Sequence, residues 1–472
     1  MSATTGLAAV EIARLVRDGG ATAVRVVREH LDRIAAVGPT VGALPVVLAE
    51  QALAGAAEVD RRVAAGEDPG PLAGVPLSVK LNVDVAGSPT SHGVRALADA
   101  VPQRDAPVVE RWRRAGAVVV GRGNMPDLAL RWHSDNALHG ATTNPWDPAL
   151  SPGGSSGGEA VALATGMTAL GLGNDYGGSL RLPALAAGVL SLRPTAGALP
   201  NATDLPPVDP GPTMQLFGVQ GPMARTVDDL ALAFDVARGR HPRDPLSLDA
   251  VLAPPAQPAP VAVLVDPAGW GVDDEVAAGV LRAADALRDA GHPVREIDAA
   301  AVADLVAGAA GAWLDLVVTD LATTVAPVMR DLGSADAVRF LDDFLALAPA
   351  LDREGWIGAL VRRHALLRGW DELTAEHPIV LGPVAADGVP PVGRDLTGPD
   401  GVRAMWRSHG LLVAVNLLGA PAVALPAGPD RRGVPTGVQL IGARHTERLL
   451  LAAARAVERA HPYAAPPAST DR

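Results

Sequence analysis

Cysteine is absent from this chain, which excludes disulfides, thiolate nucleophiles and cysteine-ligated zinc or iron–sulfur centres. Charged residues are few, at 19% against 48% hydrophobic, so a sizeable core can form and wholesale disorder is excluded. No basic block interrupts the net charge of −12, and nucleic acid is therefore not expected as a partner. Nor is a leader segment legible. Glu11, Arg14, Arg17 and Asp18 break the first apolar run, as in an amphipathic helix of a soluble protein. The longest apolar run, residues 411–428, has Asn416 as its only polar side chain and is long enough to be considered as a membrane span. Gly419, Pro421 and Pro426 divide it instead into a short buried helix, a turn and a buried strand. The expectation is a cytoplasmic protein with no membrane partner.

Lysine is nearly absent too. Lys80 stands alone, and the other 39 of the 40 Lys+Arg residues are arginine. The composition has turned lysine into arginine wherever a positive charge suffices. A guanidinium cannot be deprotonated in a protein, whereas a buried ammonium can. A position that keeps lysine is thus a candidate general base. The plain alternative, a chance survivor on the surface, fits poorly with its neighbours GVPLSVKLNVDVAG, which read as strand and turn.

Residues 5–65 read as helices. A strand region begins at 71–79, a short buried strand follows at 115–120, and a turn is expected at 121–124. Residues 142–158 are irregular, 159–165 helical, 167–173 a strand and 201–213 a proline-rich loop. Thr226 reads as the N-cap of a helix over 226–238. The run PPAQPAP at 254–260 is the best internal linker. Strand, helix and strand at 261–265, 273–290 and 292–297 predict a parallel β-α-β unit. Residues 300–375 read as mainly helical, 385–400 as a loop and the last eleven residues as frayed.

Two glycine-rich sites carry the chemistry. In SPGGSSGGE (151–159), Ser155 and Ser156 are the only reactive side chains at the centre. The pattern G-x-S-x-G fires at both, but a nucleophile elbow needs a strand before it, and a proline-bearing loop precedes this one. In NDYGGSLRLP (174–183), two glycines before Ser179 free successive N–H groups to point one way, which is how a main-chain oxyanion hole is made. No phosphate loop, dinucleotide fingerprint or His-rich metal motif is present in the sequence.

Together with Lys80 after GVPLSV, and with 24 residues separating Ser155 from Ser179, these runs resemble the amidase signature family. The likeness extends through DVAGSPTSHG, GATTNPWDP, LRPTAGALP, GPMARTVDD, NLLGAPAVALPAG and GVPTGVQLIG, nearly the whole chain. It implies a single large α/β domain over 1–472, with a mostly parallel mixed central sheet and helices on both faces. Residues 1–65 would be an N-terminal helical segment, 66–240 the signature core, 261–460 the half completing the sheet and lining the pocket, and 462–472 a tail. By the same resemblance Ser179 is the nucleophile, and Ser155 is the bridging serine that the family holds with a cis peptide. Lys80 is the base. The N–H groups of Tyr176, Gly177, Gly178 and Ser179 form the oxyanion hole, and Ser156, Asp175 and Arg181 support them. No metal and no cofactor is implied.

The chain departs from the family pattern at Leu81, where an acidic residue is common, and at Tyr176, where smaller residues are common. Asp84 has no assigned role. The Tyr176 ring either lines the pocket or packs. Trp132, Trp313, Trp356 and Trp370 fall in segments that line the pocket in relatives, with core packing as the plainer reading. The leading function is an amidase cleaving a carboxamide bond through an acyl-enzyme. Beside it stand the amidase subunit of a glutamine-dependent tRNA amidotransferase and a catalytically silent scaffold. The partner expected is a small amide substrate, with a homodimer as the assembly considered.

Overall fold

The computed structural model describes residues 4–205, 209–250 and 258–467. Part of the proline-rich linker (254–257), part of the 201–213 loop (206–208) and the end of the tail (468–472) lie outside the described residues.

The strands are β1 (Val46–Val47), β2 (Pro76–Lys80), β3 (Val118–Gly123), β4 (Asp135–Asn136), β5 (Gly140–Ala141), β6 (Leu170–Asp175) and β7 (Leu190–Arg193). They continue with β8 (Val219–Ala224), β9 (Val261–Val263), β10 (Val294–Glu296), β11 (Ile379–Pro383), β12 (Ala422–Pro429) and β13 (Pro435–Ile441). Eleven form one sheet, in the order β1-β3-β2-β6-β8-β7-β12-β13-β11-β9-β10, and β4 pairs with β5 apart from it. The β7–β12 pairing joins the two halves of the chain into one sheet.

Side chains alternate between two apolar layers, as period-two strands buried on both faces require. Val423 and Leu425 of β12 belong to one cluster with Leu230, Val280 and Leu450. Ala422 and Ala424 belong to the other, with Leu182, Val306, Trp370 and Leu412. Helices therefore cover both faces of a single α/β domain.

The sheet is mixed, as expected, but antiparallel pairs are in the majority. Parallel pairing holds for β2–β3, β2–β6, β9–β10 and β9–β11. The other six pairings are antiparallel. The β-α-β unit read at 261–297 is present, with helix Asp274–Asp289 capped by Asp273, which accepts from the Glu275 N–H at 2.8 Å. It does not extend to the centre of the sheet. There β12 turns straight into β13 through Asp430 and Gly433, and so short a turn can join only antiparallel neighbours.

The turn expected at 121–124 is the end of β3, where Ser78, Val79 and Lys80 of β2 pair with Gly121, Arg122 and Gly123. Glycine serves at 123 because a Cβ there would stand 1.6 Å from Glu159 Oε1. Thr226 caps helix Val227–Ala237 as read, accepting from the Asp229 N–H at 3.1 Å. The 411–428 run folds as helix Gly410–Leu418, a left-handed Gly419 and β12. Another stretch, Val302–Thr324, is long and apolar enough to cross a membrane. It lies in helix Ala299–Thr324, and 56% of an 18-residue apolar portion of it is buried inside the fold.

Candidate active site

Lys80 ends β2, every residue of which is buried, between β3 and β6. Its Nζ lies 2.7 Å from Ser155 Oγ and 2.7 Å from Asn174 Oδ1 on the adjoining β6. Asn174 Nδ2 in turn donates to Asn82 Oδ1 at 2.8 Å. Burial drives the Lys80 ammonium down to about 7, against the opposing charges of Glu159 and Asp175. The loop after Lys80 is gathered by Arg122, fully buried on β3. Its five N–H donors go to the carbonyls of Val79, Lys80, Val83 and Pro89 and to Ser88 Oγ.

Ser155 follows a cis peptide bond from Gly154, in an irregular loop before helix Gly157–Ala164. The glycines are there for close approach. A Cβ at Gly154 would meet His133 N at 2.5 Å, and one at Gly153 (φ +75°) would meet Pro183 Cα at 2.7 Å. Ser134 Oγ donates to Gly153 O at 2.9 Å and accepts from the Gly157 N–H at 3.1 Å, closing the loop. Ser156 donates its N–H to Ser179 O at 3.2 Å, which brings the two serine-bearing turns together.

Ser179 lies in the turn between β6 and helix Arg181–Ala187. Asp175, fully buried, organises that turn. Its carboxylate accepts from the N–H groups of Gly178 (2.9 Å) and Leu180 (3.1 Å), from Arg181 Nε and Nη2 (3.0 and 3.1 Å) and from Asn416 Nδ2 (2.8 Å). Burial pushes the Asp175 carboxyl up. The charges of Arg181 and Arg193, with the bonds from Arg181 and Asn416, outweigh that and hold it well below the usual carboxylate range. Arg181 also donates to Gln439 Oε1 (2.9 Å), Leu412 O (2.9 Å) and Asn416 Oδ1 (2.7 Å), tying the turn to β13 and helix Gly410–Leu418. Lys80 (0%), Ser155 (1%) and Ser179 (7%) are all buried, Ser179 the least.

The structure thus brings Lys80, Ser155, Ser156, Asp175, Ser179 and Arg181 into one cluster. Of the four N–H groups expected to face an oxyanion, that of Gly178 is taken by Asp175. Those of Tyr176, Gly177 and Ser179 have no acceptor among the described residues. The Tyr176 ring packs, half-buried, against Phe217 and Trp313, with centroids 6.4 and 6.0 Å away, and its hydroxyl bonds Thr213 Oγ1, which donates to Asp320. Trp132 and Trp313 reach the Ser179 turn through their indole N–H groups, at 3.0 Å from Gly177 O and 3.1 Å from Tyr176 O. Trp370, which donates to Gly442 O at 3.1 Å, packs in the core, and Trp356, half-buried, packs against it. Asp84 accepts from Thr203 Oγ1 (2.8 Å) and the Asp204 N–H (2.7 Å), holding the 201–205 loop.

Sequence reasoning missed Asn174 and Glu159. Asn174 continues the alternation Leu170, Leu172 on buried β6, and a polar residue in that rhythm was the available signal. Glu159 is fully buried above Gly123, the register partner of Lys80, and neither carboxylate oxygen has a hydrogen-bond partner among the described residues. Burial drives its carboxyl up to about 8, against the pull of Lys80 and Arg122.

Fold and site define a hydrolase of the amidase signature type. The chain belongs to the amidase family, whose model, described as Amidase, matches residues 25–451. Its reaction is the hydrolysis of a carbon–nitrogen bond in an amide. It is 37% identical over 453 residues to an indoleacetamide hydrolase of Bradyrhizobium diazoefficiens, covering 95% of this chain and 86% of that protein. It is 31% identical over 474 residues to a glutamyl-tRNA(Gln) amidotransferase subunit of Picosynechococcus, covering 93% and 95%. Among solved structures it is similar to a 6-aminohexanoate cyclic dimer hydrolase bound to substrate, with a TM-score of 0.84, 26% identity and coverage of 99% and 100%. It is also similar to a bacterial aryl acylamidase of the amidase signature family, with a TM-score of 0.83, 25% identity and coverage of 97% and 96%.

Proposed function

We propose that this enzyme, acting in the cytoplasm, hydrolyses a small carboxamide of the arylacetamide kind through a Ser179–Ser155–Lys80 relay and an acyl-enzyme. The observation that carries the reading is the 2.7 Å approach of Lys80 Nζ to Ser155 Oγ in a site whose burial brings the amine down to about 7. A serine hydroxyl is a poor nucleophile until a base takes its proton. Neutral Lys80 accepts the Ser155 proton while its own N–H donates to Asn174 Oδ1. Ser155 takes the proton of Ser179, whose Oγ attacks the amide carbon.

The carbonyl oxygen gathers negative charge against the N–H groups of Gly177 and Ser179, with that of Tyr176 beside them. Collapse of the adduct breaks the C–N bond, and the proton held on Lys80 returns through Ser155 to the departing nitrogen. Water then releases the carboxylate from Ser179. The arylacetamide class rests on the indoleacetamide hydrolase likeness.

The purified chain alone, given indole-3-acetamide and a panel of aliphatic and aryl amides, tests this by ammonia release. Turnover of the aryl amides with fluorophosphonate labelling of Ser179 is the expected result. The similarity to the tRNA amidotransferase relative supports a second reading, in which glutamine is the amide. Glutaminase activity that appears only with partner chains added would favour it over the first.

A further inference from the structure

Two indoles hold the Ser179 turn from behind, and they do so by its carbonyls. Trp313 Nε1 donates to Tyr176 O at 3.1 Å, and Trp132 Nε1 to Gly177 O at 3.0 Å. A trans peptide is planar, and its N–H points away from its C=O. Tyr176 O and the Gly177 N–H share one such plane, so the indole that fixes the oxygen also fixes the direction of the N–H. In the next plane Trp132 holds the oxygen, and the N–H, that of Gly178, is taken by Asp175 Oδ1 at 2.9 Å. In the third, Gly178 O accepts from the Leu182 N–H at 2.8 Å, which sets the direction of the Ser179 N–H.

Of the donors without an acceptor among the described residues, those of Gly177 and Ser179 are therefore aimed by different means. The Ser179 N–H is aimed by the backbone of the following helix, but the Gly177 N–H depends on one side chain. Glycine at 177 and 178 leaves the intervening chain free to rotate, so a plane held at neither end would swing. Trp313 blocks that as well, because its Cζ2 lies 2.9 Å from where a Gly177 Cβ would fall. The indole is itself fixed. It is 3% exposed and meets Phe344 edge-on with centroids 6.1 Å apart.

We propose that Trp313 is a positioning residue whose indole N–H holds the Tyr176–Gly177 peptide plane so that the Gly177 N–H points at the substrate carbonyl oxygen as it becomes an oxyanion. The inference rests on the reading of Ser179 as nucleophile. Its signature follows from when the charge appears. The donor works on the tetrahedral adduct and not on the bound amide, so losing its aim lowers kcat and leaves KM nearly unchanged.

Trp313→Phe keeps a ring in place and removes the N–H. Removing a whole oxyanion donor costs about 10²- to 10³-fold in kcat, so a donor left present but unaimed should cost about 10- to 100-fold. KM should stay within about threefold, and an aldehyde inhibitor, which forms its own oxyanion on Ser179, should weaken in step with kcat/KM. A second variant carries 3-benzothienylalanine at position 313, with the indole shape and sulfur in place of N–H. Loss of kcat in both variants supports the inference. Loss in Trp313→Phe alone assigns the effect to shape and overturns it, as does kcat within about twofold of wild type in both. Ser179→Ala keeps the two readings apart. If that variant is inactive while the Trp313 variants are unaffected, only the positioning role fails; if it is active, the nucleophile reading fails first.

Discussion

Lys80 Nζ stands 2.7 Å from Ser155 Oγ and 2.7 Å from Asn174 Oδ1, where a guanidinium, larger and planar, has no room and no proton to give up. Lys80→Arg should therefore be about as inactive as Lys80→Ala, although it keeps the positive charge. General-base loss costs on the order of 10²- to 10⁴-fold. Steady-state turnover of an aryl amide checks it, and a Lys80→Arg rate within about tenfold of wild type would sink the base assignment.

The two serines should behave differently. Ser179→Ala should lose at least about 10³-fold in kcat, with the unfolding transition unchanged, because it removes one small hydroxyl that has no hydrogen-bond partner among the described residues. Ser155→Ala should be strongly impaired yet measurable, since a water can occupy the place of a relay hydroxyl. Mass spectrometry after fluorophosphonate treatment should show the adduct on Ser179 in wild type and none in Ser179→Ala.

Activity should rise with pH through about 7, because burial lowers the Lys80 pKa to about 7 and only the neutral amine accepts a proton. The Glu159 carboxyl, driven up to about 8 by burial, is already largely protonated where Lys80 titrates, so Glu159→Gln, which copies that neutral form, should leave this acid limb nearly in place. The apparent value belongs to the coupled groups together. A pH profile of kcat/KM on both enzymes decides it, and a limb moved by about one pH unit or more in the variant would show that Glu159 carries charge beside the ammonium.

Arg181→Met removes the main countercharge of a fully buried Asp175. Breaking one partner of a buried pair costs about 3–5 kcal/mol, and a loss of that size should appear in urea unfolding. kcat should fall with it, because the same carboxylate holds the N–H groups of Gly178 and Leu180. Unfolding within about 1 kcal/mol of wild type would show that Arg193 and Asn416 suffice.

Tyr176→Ile should change the ranking of acyl groups more than it changes the rate on any one of them, because the ring packs against Phe217 and Trp313 and the proposed oxyanion contact uses main chain alone. Equal losses across a substrate panel, in a folded protein, would instead give the phenol a catalytic role.

Local features were legible where the cause is local. The Thr226 cap, the division of 411–428 by glycine and proline, and the β-α-β unit at 261–297 each depend on residues within a few turns of chain. Lys80 was legible for a chemical reason, since arginine serves everywhere else. What stayed hidden is set by contacts far apart in sequence. Strand direction at the sheet centre follows from pairings such as β7 with β12. Lys80 and Asn174 are 94 residues apart, and Trp313 and Tyr176 are 137 apart. Glu159 read as one more residue of a short helix until β3 placed Gly123 beneath it.

The burial of Lys80 also makes the candidate catalytic centre its own reporter. The chain carries two kinds of primary amine, the α-amine and the single ε-amine at the end of β2. An N-hydroxysuccinimide ester has no route to the second while Ser155 and the sheet enclose it. Acylation at Lys80, counted by intact mass as denaturant rises, would time the opening of the active centre against loss of turnover, with no dye, tag or added residue.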